Sequence, residues 1–255
     1  MNSPLLSAER RERILTSLHR QGKVVVSELS ASLHVSIDTI RRDLRELGDS
    51  GLLQRVHGGA LPALSISTRF DVRLQQPSAA KVALGKAAAQ MVRDDQVIVL
   101  DGGTTTLQIA QNLPRSLRAT ILTNSIPIAS ALTDYPTVDV FLVGGQLFKQ
   151  SPVTVGPEAL KEFQRVRADI CFLGVRSVHP EHGVSAAYRQ EAEVKRAMVD
   201  CAAEVVALAT VEKLGTVSPY IVAPLADLTC LVTENAAAPE TLAPYRELGL
   251  TIVQA

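Results

Sequence analysis

From residue 78 onward the chain alternates between short runs that are apolar throughout and stretches with helical periodicity. The apolar runs fall near 97–100, 120–123, 138–143, 169–175, 205–209, 228–233 and 250–253. The helical stretches fall near 78–92, 105–112, 126–133, 157–164, 188–203 and 239–248. A strand with no polar face must be covered on both sides, which is the condition of a parallel sheet. Strands alternating with helices of this length therefore predict an α/β fold, a mostly parallel sheet with helices on both faces.

The first 60 residues follow a different pattern. Ser7 can cap a helix running to about Arg20, with Ile14, Leu15 and Leu18 on one face. After Gly22 and the β-prone Val24-Val25-Val26, Ser27 can cap a second helix, with Leu29 and Leu33 inward. Val35 falls in a tight turn. Ser36 can cap a third helix whose inner stripe is Ile37, Ile40, Leu44 and Leu47, and residues 52–59 can form a β-wing. Three helices with a tight turn before the third form a helix-turn-helix, and its third helix fits the DNA major groove. On a helical wheel Arg42 points away from the apolar stripe, with Asp38, Thr39 and Arg45 on the same outer half and Arg41 on the flank. Arg42 is therefore assigned to a base edge, where its planar fork suits guanine, and Arg41 to a phosphate. Ser36 and Thr39 can bond either. The bland alternative is an amphipathic helix whose charges are merely solvated. Residues 1–60 hold nine Lys/Arg against seven Asp/Glu, a surplus that permits DNA binding without showing it.

Composition narrows the remaining classes. With 46% hydrophobic residues and zero formal net charge the chain is not disordered. No apolar run reaches the roughly 18 residues of a membrane span. The first 20 residues turn charged at once, so they do not read as a signal peptide and a cytoplasmic location is expected. Cys171, Cys201 and Cys230 are far apart among apolar neighbours and read as buried reduced thiols. Their spacing suits no metal site, and no cofactor is expected.

The strongest motif beyond residue 78 is Val99-Leu100-Asp101-Gly102-Gly103-Thr104-Thr105-Thr106-Leu107, which follows a strand and opens a helix. Gly102 and Gly103 let the backbone approach a ligand. Free amides at the helix start favour an anion, and Thr104, Thr105 and Thr106 add hydroxyl donors. Asp101 ends the strand where such sheets bind ligands. It would repel a phosphate, so it is placed beside one, where it can accept sugar hydroxyls. The alternative is a plain turn with a threonine cap. Thr123-Asn124-Ser125 and Gly144-Gly145 end two further strands, placing polar loops, Asn124 among them, on the same sheet edge. Glu191 lies near the inner stripe of Val194, Met198 and Cys201 and needs a partner or ligand there, unless it only caps the helix. Lys213 follows a strand and reads either as a ligand group or as a solvated loop lysine.

Residues 26–45, above all Val35-Ser36-Ile37-Asp38-Thr39-Ile40-Arg41-Arg42-Asp43-Leu44, resemble the helix-turn-helix of the DeoR family of bacterial transcriptional regulators. Arg55-Val56-His57-Gly58-Gly59-Ala60 resembles that family's wing, which adds Arg55 and His57 to the DNA-binding candidates. The resemblance continues through the second part, which is similar to the family's sugar-phosphate-sensing domain, a relative of ribose-5-phosphate isomerase. It implies that Gly103 to Thr106 hold a phosphate and that the stretch from Asp169 through Gly174 to Glu191 and Lys195, and then Lys213, borders the sugar. The chain departs from the family at Thr210, where an acidic residue is usual, and at Arg176 and His179, where small or polar residues are usual.

The expected organisation is a winged helix-turn-helix over 1–61, a linker over 62–77 with a helical piece near 70–74, and an α/β sensor domain over 78–255. The expected function is a regulator, read as a repressor of carbohydrate genes, that binds a double-stranded DNA operator as a homodimer or homotetramer and answers to a phosphorylated sugar, with no membrane partner. The alternatives are a sugar-phosphate isomerase-like enzyme on the same fold, against which Thr210 and the attached DNA reader argue, and a DNA-binding protein whose second domain is only structural.

Overall fold

A computed structural model describes residues 6–63, 69–75 and 78–255. The N-terminal part runs α1 (Ser7–Gln21), β1 (Val24–Val25), α2 (Val26–Leu33), α3 (Ile37–Asp49), β2 (Leu53–Val56) and β3 (Gly59–Pro62). The strands form an antiparallel wing in the order β1-β3-β2. Ile14, Leu18, Leu29, Ile40, Leu44, Leu47 and Leu53 make its core. Ser36 caps α3 as expected, accepting from the Thr39 amide at 3.2 Å. The other two expected caps are displaced. Leu6, not Ser7, precedes α1, where Glu9 reaches back to the Leu6 amide at 3.2 Å, and Val25, not Ser27, precedes α2. Ile37, expected on the inner stripe, is 44% exposed, because the first turn of α3 projects beyond the core. Asp43 takes an inward place instead, held by the Arg10 guanidinium through Nη2 to Oδ1 at 3.0 Å.

The interval expected as linker is described in part; residues 64–68 and 76–77 lie outside the described residues. Within it, α4 (Phe70–Gln75) agrees with the expected helical piece.

The second part continues α5 (Ala79–Ala89), β4 (Val97–Leu100), α6 (Thr104–Asn112), β5 (Ala119–Thr123), α7 (Ile126–Ala131), β6 (Val138–Leu142), β7 (Gln146–Phe148), β8 (Val153–Val155), α8 (Pro157–Gln164), β9 (Ala168–Gly174), β10 (Ser177–His179), β11 (Gly183–Ala186), α9 (Arg189–Asp200), β12 (Ala202–Leu208), β13 (Tyr220–Ala223), β14 (Cys230–Thr233), α10 (Pro239–Glu247) and β15 (Thr251–Gln254). The seven expected strands form one sheet in the order β15-β14-β12-β9-β4-β5-β6, and every ladder is parallel. Alternate residues face two cores. Val99, Cys171, Leu173 and Ala207 pack with α8 and α9, while Ile98, Phe172 and Leu208 pack with α5 and α6. The three cysteines are buried and unpaired.

The chain starts the sheet at β4, builds outward to β6, then returns to lay β9 on the other side of β4. The carboxyl ends of β4 and β9 are thus the topological switch point, where open α/β sheets leave a crevice. Two additions were not expected: the β7–β8 hairpin and a three-stranded sheet, β10-β11-β13. Both stand over that carboxyl edge. No described helix is long and apolar enough to cross a membrane.

Candidate functional site

Two surfaces carry the chemistry. The first is the outer face of α3 with the wing. Ser36, Asp38, Arg41, Arg42, Arg45, Arg55 and His57 are all exposed, and Thr39 is half-buried. Ser36 Oγ and Thr39 Oγ1 lie 2.9 Å apart, so each hydroxyl already has a partner at the helix start. Arg41 Nη1 donates to Asp38 Oδ1 at 3.3 Å, whereas no partner of the Arg42 guanidinium is found among the described residues. The Arg55 stem rests against Gly48, where a Cβ would stand 3.4 Å from its Cγ, which ties the wing to the end of α3. Bidentate pairing of Arg10 with buried Asp43 fixes α1 against α3 from behind. Nothing in the hydrophobic pattern marks that pair, since Asp43 lies beside Leu44 like any surface acid.

The second surface is a cleft at the switch point, open to solvent on one side. Gly102, Gly103, Thr104 and Thr105 line one side. Gly102 comes close to the β7–β8 hairpin: a Cβ there would sit 2.2 Å from Val153 Cγ1. In α6 the Leu107 amide bonds the Gly103 carbonyl at 3.0 Å, and the amides ahead of it have no acceptor within the helix. Glu191, Lys195 and Lys213 line the cleft too, with Arg73, Ser151, Arg176 and Tyr188.

Three expected residues lie behind this lining. Asp101 is only 2% exposed; its Oδ2 accepts from Lys195 Nζ and, at 2.8 Å, from the Gly174 amide. Lys195 also donates to the Gly174 carbonyl at 2.8 Å, so the acid and the lysine lock β4, β9 and α9 together beneath the floor. Thr106 is fully buried and donates to the Gly103 carbonyl at 3.1 Å. Asn124 faces the hairpin: its Nδ2 donates to the Thr154 carbonyl at 2.8 Å, and its backbone carbonyl accepts the Thr154 amide.

Charge is unbalanced here. Arg73, Arg176, Lys195 and Lys213 line the cleft against a single carboxylate, Glu191, with Asp101 beneath. Burial lowers the pKa of Arg73 and Arg176, and for Arg176 the neighbouring Arg73 adds to the effect. Lys213 is 9% exposed, and burial followed by the Arg73 charge brings it down to about 7. Burial raises Glu191, a shift that Lys195 and the hydrogen bond to Ser151 oppose. Depressed cations crowded together are relieved by an anion.

Sequence reasoning missed Arg73 and Ser151. Arg73 comes from α4 in the expected linker, and Ser151 from the tip of the β7–β8 hairpin, so neither sits near a motif. Arg176 was noticed only as a departure from the family.

Two family models match this chain. Residues 10–65 match the DeoR-like helix-turn-helix domain, and residues 76–235 match the DeoR C-terminal sensor domain. The chain is 34% identical over 251 residues to the transcriptional regulator GlpR of Haloferax volcanii, covering 98% of each chain. It is 32% identical over 229 residues to the transcriptional repressor GlcR of Bacillus subtilis, covering 89% of this chain and 88% of that one. Among solved structures, ribose 5-phosphate isomerase A of Methanocaldococcus jannaschii aligns over 52% of each chain at 17% identity, with a TM-score of 0.39. With both family matches in chain order and relatives alike over nearly their whole length, the chain belongs to the DeoR family: it is a DNA-binding transcriptional regulator with a C-terminal sensor domain.

Proposed function

We propose that this regulator represses carbohydrate genes and that a phosphorylated sugar, bound in the switch-point cleft, controls its hold on DNA. Residues 1–61 read the operator, 62–77 connect, and 78–255 sense. Arg42 reaches a base edge and Arg41 a phosphate, with Ser36, Asp38, Thr39, Arg45, Arg55 and His57 around them. The observation that carries the effector reading is the cleft itself, where the open amides of α6, the Thr104 and Thr105 hydroxyls and a surplus of buried and half-buried cations converge. This is the chemistry of a phosphate site. Glu191 supplies the acceptor for sugar hydroxyls, and Lys213 donates to phosphate or hydroxyl. Asp101, Thr106 and Asn124 hold the floor and the hairpin from behind. An operator of two half-sites needs two helix-turn-helix units, so the working species is a homodimer or a homotetramer.

A thermal-shift panel of phosphorylated and free sugars, run with operator gel shifts and light scattering on the full chain, tests the reading. A phosphorylated sugar, and not its free counterpart, raises the melting temperature and changes operator affinity. A panel that shifts neither quantity refutes the effector reading, and a monomer that binds the operator at full strength refutes the assembly.

A further inference from the structure

Arg73 stands outside both matched segments, after residue 65 and before residue 76, yet it lines the cleft. Its helix, α4, rests on the sensor part by a few contacts. Phe70 is buried in the core beside α6, and its amide donates to the Gln150 carbonyl at 2.8 Å. Lys81 Nζ donates to the Arg73 carbonyl at 3.1 Å. Arg73 Nη2 reaches Ser151 Oγ at 3.4 Å, a long bond. Arg73 Nε is buried, with no hydrogen-bond partner among the described residues.

A buried donor on a cation, left unmet, is costly. The acids nearby do not meet it. Asp101 is taken by Lys195 and the Gly174 amide, and Glu191 is bonded to Ser151. The guanidinium edge that holds Nε is the edge that grips an oxyanion with two parallel bonds. With no acceptor for Nε among the described residues, the cleft that the guanidinium lines is where an acceptor can come from.

We propose that Arg73 is an effector-binding residue supplied by the segment between the two domains, and that an oxyanion in the cleft draws α4 onto the sensor domain through it. This rests on the cleft being the effector site, and it adds how occupancy reaches the DNA-binding part. The wing strand β3 ends at Pro62, a short stretch of chain before Phe70. The seating of α4 thereby limits where the chain that follows the wing can go. A ligand shifts such an equilibrium by as much as it prefers the seated state.

Amide hydrogen exchange on the full-length protein tests this, with inorganic phosphate, glucose 6-phosphate, fructose 6-phosphate and fructose 1-phosphate as probes. Two segments are followed, the loop 102–106 and helix 70–75. In the wild type, a probe that slows exchange in the loop also slows it in the helix. In Arg73→Gln the loop is still protected but needs roughly tenfold more probe, as for one lost charge-assisted bond, while protection of the helix and the probe's effect on operator affinity disappear. Should Arg73→Gln fail to fold, Arg73→Lys serves: it keeps the charge, removes the fork, and loses the helix protection as well. Loop protection without helix protection in the wild type overturns the proposal, as does full helix protection in a folded variant. If no probe protects the loop, the cleft is not the effector site, and both readings fall together.

Discussion

Lys213→Met should make the effector-free protein more stable, and by an amount that depends on pH. The lysine is buried among cations, and burial first, then Arg73, bring its pKa from the ordinary 10.5 to about 7. At 1.36 kcal/mol per pKa unit this corresponds to at most about 5 kcal/mol. Side-chain relaxation and water entry reduce such figures, which leaves about 2 kcal/mol. The sign follows from which state holds the proton. Between pH 7 and 10.5 the unfolded lysine is charged and the folded one is not, so stability rises with pH across that window. The cost is therefore complete below about pH 7 and fades toward pH 10. For a chain of this size about 2 kcal/mol is a rise of about 4–8 °C in melting temperature. Thermal melts at pH 6.5 and pH 9.5 check it: the methionine variant should melt higher at pH 6.5, and the gain should shrink by pH 9.5. A variant that melts at or below the wild type at pH 6.5, or gains equally at both values, would show that Lys213 is not held as an uncompensated cation.

Arg10→Met should cost about 3–5 kcal/mol in urea unfolding, because it strands the Asp43 carboxylate inside the helical core; Arg10→Met with Asp43→Leu should recover most of the loss, and failure to recover would show that Arg10 acts by packing. Arg42→Ala should cost about 1–3 kcal/mol of specific operator binding and relax preference at one base position, while Arg41→Ala should weaken all sequences alike and flatten the salt dependence. Equal losses of specificity in gel shifts across variant operators would reject that assignment. Thr105→Val should weaken effector binding by about 1–3 kcal/mol and leave effector-free operator affinity unchanged. A wild-type effector response in that variant would leave the threonine as nothing more than part of a helix start.

Much of the candidate site was legible because its parts are local. Gly102 to Thr105 end a strand and open a helix within a few residues, and Ser36 caps α3 one turn from its partner. The β7–β8 hairpin and the β10-β11-β13 sheet were not legible, since strands of three or four residues are too short to show a period. Asp101 and Asn124 were correctly placed at strand ends and still face away from the cleft. Their side chains serve Gly174 and Thr154, partners that come from far along the chain.

The amino-acid sequence by itself determined the seven parallel strands and the three-helix reader. A strand buried on both faces must be apolar throughout, and a helix buried on one face must repeat its apolar residues every turn, so each is written in a few consecutive side chains. Only the tertiary structure decided that β9 returns beside β4. That pairing sets Lys195 on Asp101, while the packing of α4 on α6 and the β7–β8 hairpin brings Arg73 from the inter-domain segment toward Lys213, and burial depresses both. A residue's charge is written in its own letter, but its pKa depends on neighbours and burial, and those exist only once distant segments have packed.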